Sequence, residues 1–326
     1  MTDIASLRPP TLDEVRAAAK RIAPHVVRTP LIRLNLPFED RTIWLKLENL
    51  QPIGAFKSRP AFHSIACLPE EARAKGVYTI STGNMALGVA SAARELGVPM
   101  DAYVYEGAPD MKVKAVEAAG GRVVALPKEQ WWRTMFIEEQ PETDKSLVHP
   151  ILQNSVFAAN GTIALEVFED LPEVDAVYIP YGGGGGTTGI GSTLKNLKPE
   201  ARVVPVEGAH ATPLTAAFAA GHPVTVDFQS CFVESIGATT VFPVIFGFLQ
   251  SIVDHVAVAP LDDVAEALRI LFARNKVVAE GAGAASVAAA IADPKGKGNL
   301  VCIVSGGNID SDEFCRILNH EKGAGI

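Results

Sequence analysis

At 326 residues the chain is about twice the length of an average domain, which allows one large α/β unit or two lobes over a sizeable core. Asp and Glu number 37 against 29 Lys and Arg, a formal charge of −8, and no run of Lys and Arg forms a basic patch, so nucleic acid is not an expected partner. The longest apolar stretch, Val241 to Leu249, is interrupted by Pro243 and Gly247 and falls short of the roughly 20 residues of a spanning helix. No membrane segment is expected, and the first residues lack the apolar core of a secretory signal, which points to a cytoplasmic protein.

In chain order, helical periodicity over Leu12–Ile22 is followed by an apolar, β-rich run at Thr42–Leu47 and a second at Val77–Ile80. A helix over Ala86–Leu96, a strand at Asp101–Tyr105, a helix over Asp110–Ala119 and a strand at Arg122–Ala125 come next. A helix over Thr162–Phe168 precedes strands at Ala176–Ile179 and Arg202–Val206. Helices over Leu261–Asn275 and Gly283–Ile291 and a strand at Leu300–Val304 close the pattern. Such alternation predicts an α/β fold with mostly parallel sheets. The β-α-β-α-β succession inside residues 76–147 predicts a small α/β domain inserted into a large one made of 1–75 and 148–326. Cys67, Cys231, Cys302 and Cys315 show no CxxC spacing, most have apolar neighbours, and the histidines lack i, i+4 pairing, so neither a disulfide frame nor a metal site is expected.

Three of the predicted strands end in glycine-containing turns. After Ala176–Ile179 come Gly182, Gly183, Gly184, Gly185 and Gly186, then a helix. Bare backbone amides backed by the positive end of a helix dipole make a phosphate cradle. No lysine follows at the spacing of a mononucleotide loop. Gly184, Gly186 and Gly189 do fit GxGxxG, and Glu207 ends the next strand where a ribose-binding acid would sit, so an NAD-dependent oxidoreductase is one alternative. The second turn, Ser81-Thr82-Gly83-Asn84, reads either as a helix cap or as a grip on a small carboxylate. The third is Ser305-Gly306-Gly307-Asn308. Ligands of open parallel sheets bind beyond the carboxyl ends of strands, so the three turns can converge on one crevice.

Lys57 follows Gly54-Ala55-Phe56 at the mouth of a helix. A partly apolar, electropositive setting disfavours the charged amine, and a neutral amine is a nucleophile toward an aldehyde. A phosphate cradle with a Schiff-base lysine suggests pyridoxal phosphate. Gly54-Ala-Phe-Lys57-Ser-Arg, Ser81-Thr-Gly-Asn84, the five glycines and Ser305-Gly-Gly-Asn308, in this order, resemble the serine/threonine dehydratase and serine racemase family of fold-type II pyridoxal-phosphate enzymes. The resemblance runs from about Leu31 to Asp310. It includes phenylserine and hydroxyaspartate dehydratases as candidates.

The resemblance implies a tryptophan synthase β-like fold, a homodimer, and dehydration and deamination of a 3-hydroxy amino acid to a 2-oxo acid and ammonia. It places Lys57 as the residue that holds the cofactor and moves the Cα proton, with Phe56 beside the ring and Asn84 on the 3′-oxygen. Gly182 to Gly186 would hold the phosphate, Ser305 would face the pyridine nitrogen, and Glu280 matches an acidic residue near the cofactor, although it also reads as a helix cap. Ser81, Thr82 and Gly83 would grip the substrate carboxylate. Thr82 stands where racemases carry a serine, which keeps amino acid racemisation as a further alternative.

Three departures matter. Met85 and Ile151-Leu152-Gln153 replace more polar residues, which predicts a drier side-chain pocket and a bulky substrate such as phenylserine. Glu207 and Ala211 match a divalent-metal site of related enzymes, but Pro213 stands where its Asp would be, so no specific metal is expected. Trp131-Trp132 reads as core packing, or as an interface or lid in an acidic loop.

Overall fold

The computed structural model describes residues 4–320. The strands are β1 (Leu31–Arg33), β2 (Arg41–Lys46), β3 (Val77–Ile80), β4 (Met100–Tyr105), β5 (Arg122–Leu126), β6 (Ser146–Leu147), β7 (Ala176–Pro180), β8 (Arg202–Gly208), β9 (Ala257–Ala259) and β10 (Gly298–Ile303). The helices up to the glycine turn are α1 (Leu12–Ile22), α2 (Ser58–Ala66), α3 (Glu70–Lys75), α4 (Asn84–Glu95), α5 (Asp110–Ala118), α6 (Lys128–Met135) and α7 (Asn154–Asp170). After it come α8 (Gly185–Leu197), α9 (Pro213–Ala220), α10 (Pro243–Ile252), α11 (Leu261–Ile270), α12 (Gly281–Ala292) and α13 (Ser311–Leu318).

The strands form two sheets. One has six strands in the order β1-β2-β10-β7-β8-β9, parallel except for β1, and the other has four parallel strands in the order β5-β4-β3-β6. All strands of the smaller sheet lie between residues 77 and 147. Helices cover both faces, so the central strands β3, β7 and β8 are buried almost throughout, which is why they read as continuous apolar runs rather than as alternation. Register pairs Cys302 with both Leu45 and Tyr178, which brings the carboxyl ends of β2, β10 and β7 to one edge. The segments leading to Lys57, to Ser305 and to the five glycines leave the sheet there.

α1 shows how the sequence specifies its own ends. Thr11 accepts a hydrogen bond from the Glu14 amide, Glu14 accepts one from the Thr11 amide, and Val15, Ala18 and Ile22 are buried on one face. α7 and α6 depart furthest from expectation. α7 begins at Asn154 rather than Thr162, and Gly161 within it lets α8 approach closely, since a Cβ there would strike Thr193 Oγ1. α6 replaces the expected loop around the tryptophans: Trp131 is buried, whereas Trp132 is exposed. α11 runs into a wider π turn over Leu271–Asn275. Cys231 and Cys302 are buried, but Cys67 and Cys315 are exposed, so apolar burial holds for two of the four. Among the described residues no helix is long and apolar enough to cross a membrane.

Candidate active site

Every residue that the resemblance places on the cofactor or the substrate carboxylate, together with Met85, lines one cavity of about 250 Å³ between the two sheets. The larger sheet contributes Phe56, Lys57, the five glycines, Glu280 and Ser305. Across from them the turn after β3 contributes Ser81, Thr82, Gly83, Asn84 and Met85.

Lys57 sits just before α2, half-buried, with its amine 4.8 Å from the centre of the Phe56 ring and donating to the Pro150 carbonyl at 3.2 Å. No carboxylate pairs with it, so burial pulls its pKa down to about 8. The backbone beneath it is anchored by buried ion pairs. Arg59, fully buried two residues on, donates to both oxygens of Glu48 at 2.8 Å and to Glu166 at 2.6 and 2.8 Å, and Lys46 donates to Glu166 at 2.5 Å. Burial alone would raise the Glu48 pKa, but the Arg59 guanidinium holds it below the usual carboxylate range. Gly88 on α4 lets that helix pass close to the Lys57 carbonyl.

The five-glycine turn enters α8 through Gly184, a left-handed residue with φ of 90°, and no side chain caps the helix. Asn160 on α7 donates to the Gly185 carbonyl at 3.1 Å and pins the turn. A Cβ on Gly183 would overlap the Ile151 side chain and one on Gly184 would overlap Ile245. In the second turn, Gly83 rather than Ser81 or Thr82 holds the cap position of α4, again without a side-chain cap, while the Ser81 hydroxyl accepts from the Gly83 amide at 3.3 Å. The capping account of this turn therefore fails, and the first amides of α4 are free of side-chain caps.

Asn84, Glu280 and Asn308 form a chain of hydrogen bonds. Asn84 donates to Glu280 Oε1 at 2.9 Å and accepts from Asn308 at 2.8 Å, and Asn308 also donates to the Ile53 carbonyl at 2.9 Å. Glu280 occupies the cap position of α12 but makes no cap with its side chain, which corrects the capping alternative. Burial pushes its carboxyl up to about 7 against the opposing hydrogen bonds from Asn84 and Ser235. The Ser305 carbonyl accepts from the Phe56 amide at 2.9 Å, tying the third turn to the lysine segment.

Several expectations need correction. Of Ile151, Leu152 and Gln153, only Ile151 lines the cavity; Leu152 is buried in the core and Gln153 hydrogen-bonds the Leu147 carbonyl and the His149 amide. Glu207 is buried and accepts from the Leu214 amide, the Thr215 amide and the Thr215 hydroxyl at 2.6 to 2.9 Å, so it caps α9 and is open to neither a ribose nor a metal. Gly189 serves packing, because a Cβ there would strike the Phe157 carbonyl. The GxGxxG alternative loses both its acid and its third glycine. Trp131, assigned to core or interface, reaches the cavity together with Met135, Pro150, Thr187, Ser235 and Ile236, which sequence reasoning missed. The spacing of Trp131 and Met135, four apart and so on one helix face, was the available signal.

Residues 22–306 match the model of the pyridoxal-phosphate dependent enzyme family. The chain belongs to that family. It is 35% identical over 316 residues to an L-threonine ammonia-lyase of Thermotoga maritima, covering 95% of this chain and 78% of that one. A catabolic L-threonine dehydratase of Staphylococcus aureus is 31% identical over 324 residues, covering 95% and 92%. The solved structure of maize serine racemase superposes with a TM-score of 0.85 at 29% identity, covering 96% of this chain and 98% of that one. These likenesses support the fold-type II architecture and pyridoxal phosphate as the cofactor.

The residues present fit that cofactor. An amine with a lowered pKa and only a carbonyl partner suits an aldehyde. The uncapped, side-chain-free start of α8 suits a phosphate, and the buried Thr187 hydroxyl beside it has no partner within the described protein. The Phe56 ring bridges the two, 3.8 Å from a Cβ placed on Gly186.

Proposed function

We propose that the enzyme is a pyridoxal-phosphate-dependent ammonia-lyase that dehydrates and deaminates a 3-hydroxy amino acid to a 2-oxo acid and ammonia. The observation that carries this reading is the Lys57 amine, pulled down to about 8 and facing the cavity that the five-glycine turn also lines. The named activities of the Thermotoga maritima and Staphylococcus aureus relatives support it.

When bound, the cofactor supplies an aldehyde for the amino group and a sink for the electrons of the Cα bond. The protein does the rest. Lys57 Nζ holds the cofactor and afterwards accepts the Cα proton, a role that its lowered pKa suits near neutral pH. The amides of the Ser81-Thr82-Gly83 turn and of the start of α4 bind the substrate carboxylate. Asn84 has one amide hydrogen committed to Glu280 and its oxygen to Asn308, which leaves its second hydrogen as the donor it would offer a bound cofactor. Ser305 lines the cavity and would give the ring nitrogen of a bound cofactor a neutral hydroxyl rather than a carboxylate, which would disfavour a long-lived carbanion and favour loss of the β-hydroxyl. Release of ammonia and a 2-oxo acid from 3-hydroxy amino acids, abolished in Lys57→Ala together with the visible absorption of the bound cofactor, tests the reading. Absence of product from serine, threonine, 3-hydroxyaspartate and 3-phenylserine alike would end it.

Racemisation is the second reading, favoured by the position of Thr82 in the cavity; chiral analysis of recovered substrate, with Thr82→Ala as control, separates the two. We assign residues 76–147 to an inserted small domain because all four strands of the smaller sheet fall within them. A homodimer rests on the family resemblance, and a cytoplasmic setting on the absence of disulfides among the described cysteines.

A further inference from the structure

Resting on the lyase reading, we infer that the substrate is a 3-hydroxy amino acid with an aromatic β-substituent, of the 3-phenylserine type, and that Trp131, Met135 and Ile151 form the wall that selects it. Trp131 and Met135 are one turn apart on α6 and both are buried against the cavity. The only polar atom of Trp131 is already used, since its indole nitrogen donates to the Tyr103 carbonyl at 2.9 Å. Its ring is held edge-on by Tyr105 at 5.6 Å and by Trp132 at 4.9 Å. A fixed ring with a satisfied donor offers only carbon to the cavity, and aromatic pairs favour such edge-on geometry.

Ile151 faces the same space and is equally fixed. It packs over Gly183, and its amide is held by His149 Nδ1 at 3.1 Å, which also takes the Leu152 amide at 2.8 Å. Burial pulls the His149 pKa down to about 4, so the ring is neutral and its Nε2 donates to the Met135 carbonyl at 2.9 Å. One imidazole therefore binds the end of α6 to the loop that carries Ile151, and sets the two halves of the wall against each other.

Charge excludes the dicarboxylate alternative. Among the described residues lining the cavity the cations are Lys57 and Lys112, and Lys112 is paired with Glu234 at 2.7 Å. Glu234 and Glu280 line the cavity as well, so a second carboxylate on the substrate meets acids and no free cation. A small β-substituent would leave this wall facing water. An added methylene in an apolar pocket is worth about 10- to 200-fold in discrimination, and a phenyl group adds more than one.

The net reaction balances: 3-phenylserine loses water and then regains it as the nitrogen leaves, giving phenylpyruvate and ammonia. The test compares kcat/KM for serine, threonine, 3-hydroxyaspartate and 3-phenylserine on the holoenzyme. We expect 3-phenylserine to exceed threonine by about tenfold or more, and 3-hydroxyaspartate to be the poorest. Trp131→Ala and the near-isosteric Met135→Gln should each lower the ratio of 3-phenylserine to serine by about tenfold, while Trp131→Phe restores it. Binding gives an independent readout. L-Phenylalanine, which has no leaving group at Cβ, should bind the wild type more tightly than L-alanine does, and lose that advantage in both wall variants. A preference for serine, threonine or 3-hydroxyaspartate, or a substrate ratio unmoved in the wall variants, overturns the inference while leaving the lyase reading intact. Failure of that reading shows differently, as no 2-oxo acid from any of the four substrates.

Discussion

Replacement of Lys57 by Met removes the one titrating group that the proposed chemistry depends on, and its consequences can be worked out before any substrate is added. With a pKa of about 8 instead of 10.5, the amine is neutral in about one molecule in ten at pH 7, about 300 times the fraction of an ordinary lysine. The sign follows from proton counting. Between about pH 8 and 10.5 the unfolded chain holds this proton and the folded protein has released it, so stability of the cofactor-free protein rises with pH through that window. Below it, the folded state carries the full cost of the buried ammonium. That cost is at most about 3 kcal/mol and smaller once cavity water screens the charge. Lys57→Met should therefore be more stable than the wild type at pH 7, by urea unfolding of cofactor-free protein, and should lack the rise between pH 8 and 10.5. In parallel, cofactor capture by the wild type, followed by its visible absorption, should increase with pH around a midpoint near 8. A capture midpoint near 10, or a variant whose stability has the same pH profile as the wild type, refutes the account of Lys57 as a desolvated amine.

The rest of the site yields further expectations. Arg59→Ala leaves Glu48 buried without its partner and should cost about 3–5 kcal/mol of unfolding free energy, far more than loss of an exposed pair. Since the Glu48 pKa is lowered, the stability it contributes is complete above the ordinary carboxylate range and is lost as pH falls through its own lower value, so Glu48→Gln should flatten the acid limb of the stability curve. Gly184→Ala combines a φ of 90° with a clash against Ile245 and should weaken cofactor binding and lower stability by roughly 1–3 kcal/mol; calorimetry of cofactor binding and urea unfolding measure both effects. Asn308→Ala removes the donor that orients the Asn84 amide and should shift the absorption of the bound cofactor with little change in unfolding midpoint; an unchanged spectrum speaks against the relay.

How far the sequence could be read depended on whether a signal was local. The central strands β3, β7 and β8 are legible because burial on both faces requires unbroken apolar runs, and α1 carries its own capping box. β6 has two residues and exists only because Tyr78 and Val77 pair with it, so nothing local could reveal it. α7 runs eight residues further towards the N-terminus than the helix expected from Thr162, through Asn160-Gly161, a pair that disfavours a helix interior. Both residues are there for tertiary reasons, Asn160 to hold Gly185 and Gly161 to admit α8. α10 coincides with the apolar stretch that Pro243 and Gly247 interrupt, yet Pro243 occupies the first helical position, where a missing amide hydrogen costs nothing.

The site was legible wherever a residue type is chemically unusual at its position, as with the lysine after Gly-Ala-Phe, the asparagines and the bare glycines. It was illegible where an ordinary residue owes its role to something distant. The five glycines illustrate both cases. Their reading as a phosphate cradle rested on exposed amides, but Gly183 and Gly184 are also the positions where Ile151 and Ile245 press on the backbone. A side chain at Gly183 would thus not merely obstruct an anion; it would push away Ile151, which lines the cavity, while one at Gly184 would strike Ile245. The proposed cofactor cradle and the proposed side-chain wall touch where Ile151 packs over Gly183, so Gly183→Ala should weaken cofactor binding and at the same time alter the ratio of turnover between 3-phenylserine and serine. A change in cofactor affinity with that ratio unmoved would show the two functions to be separable.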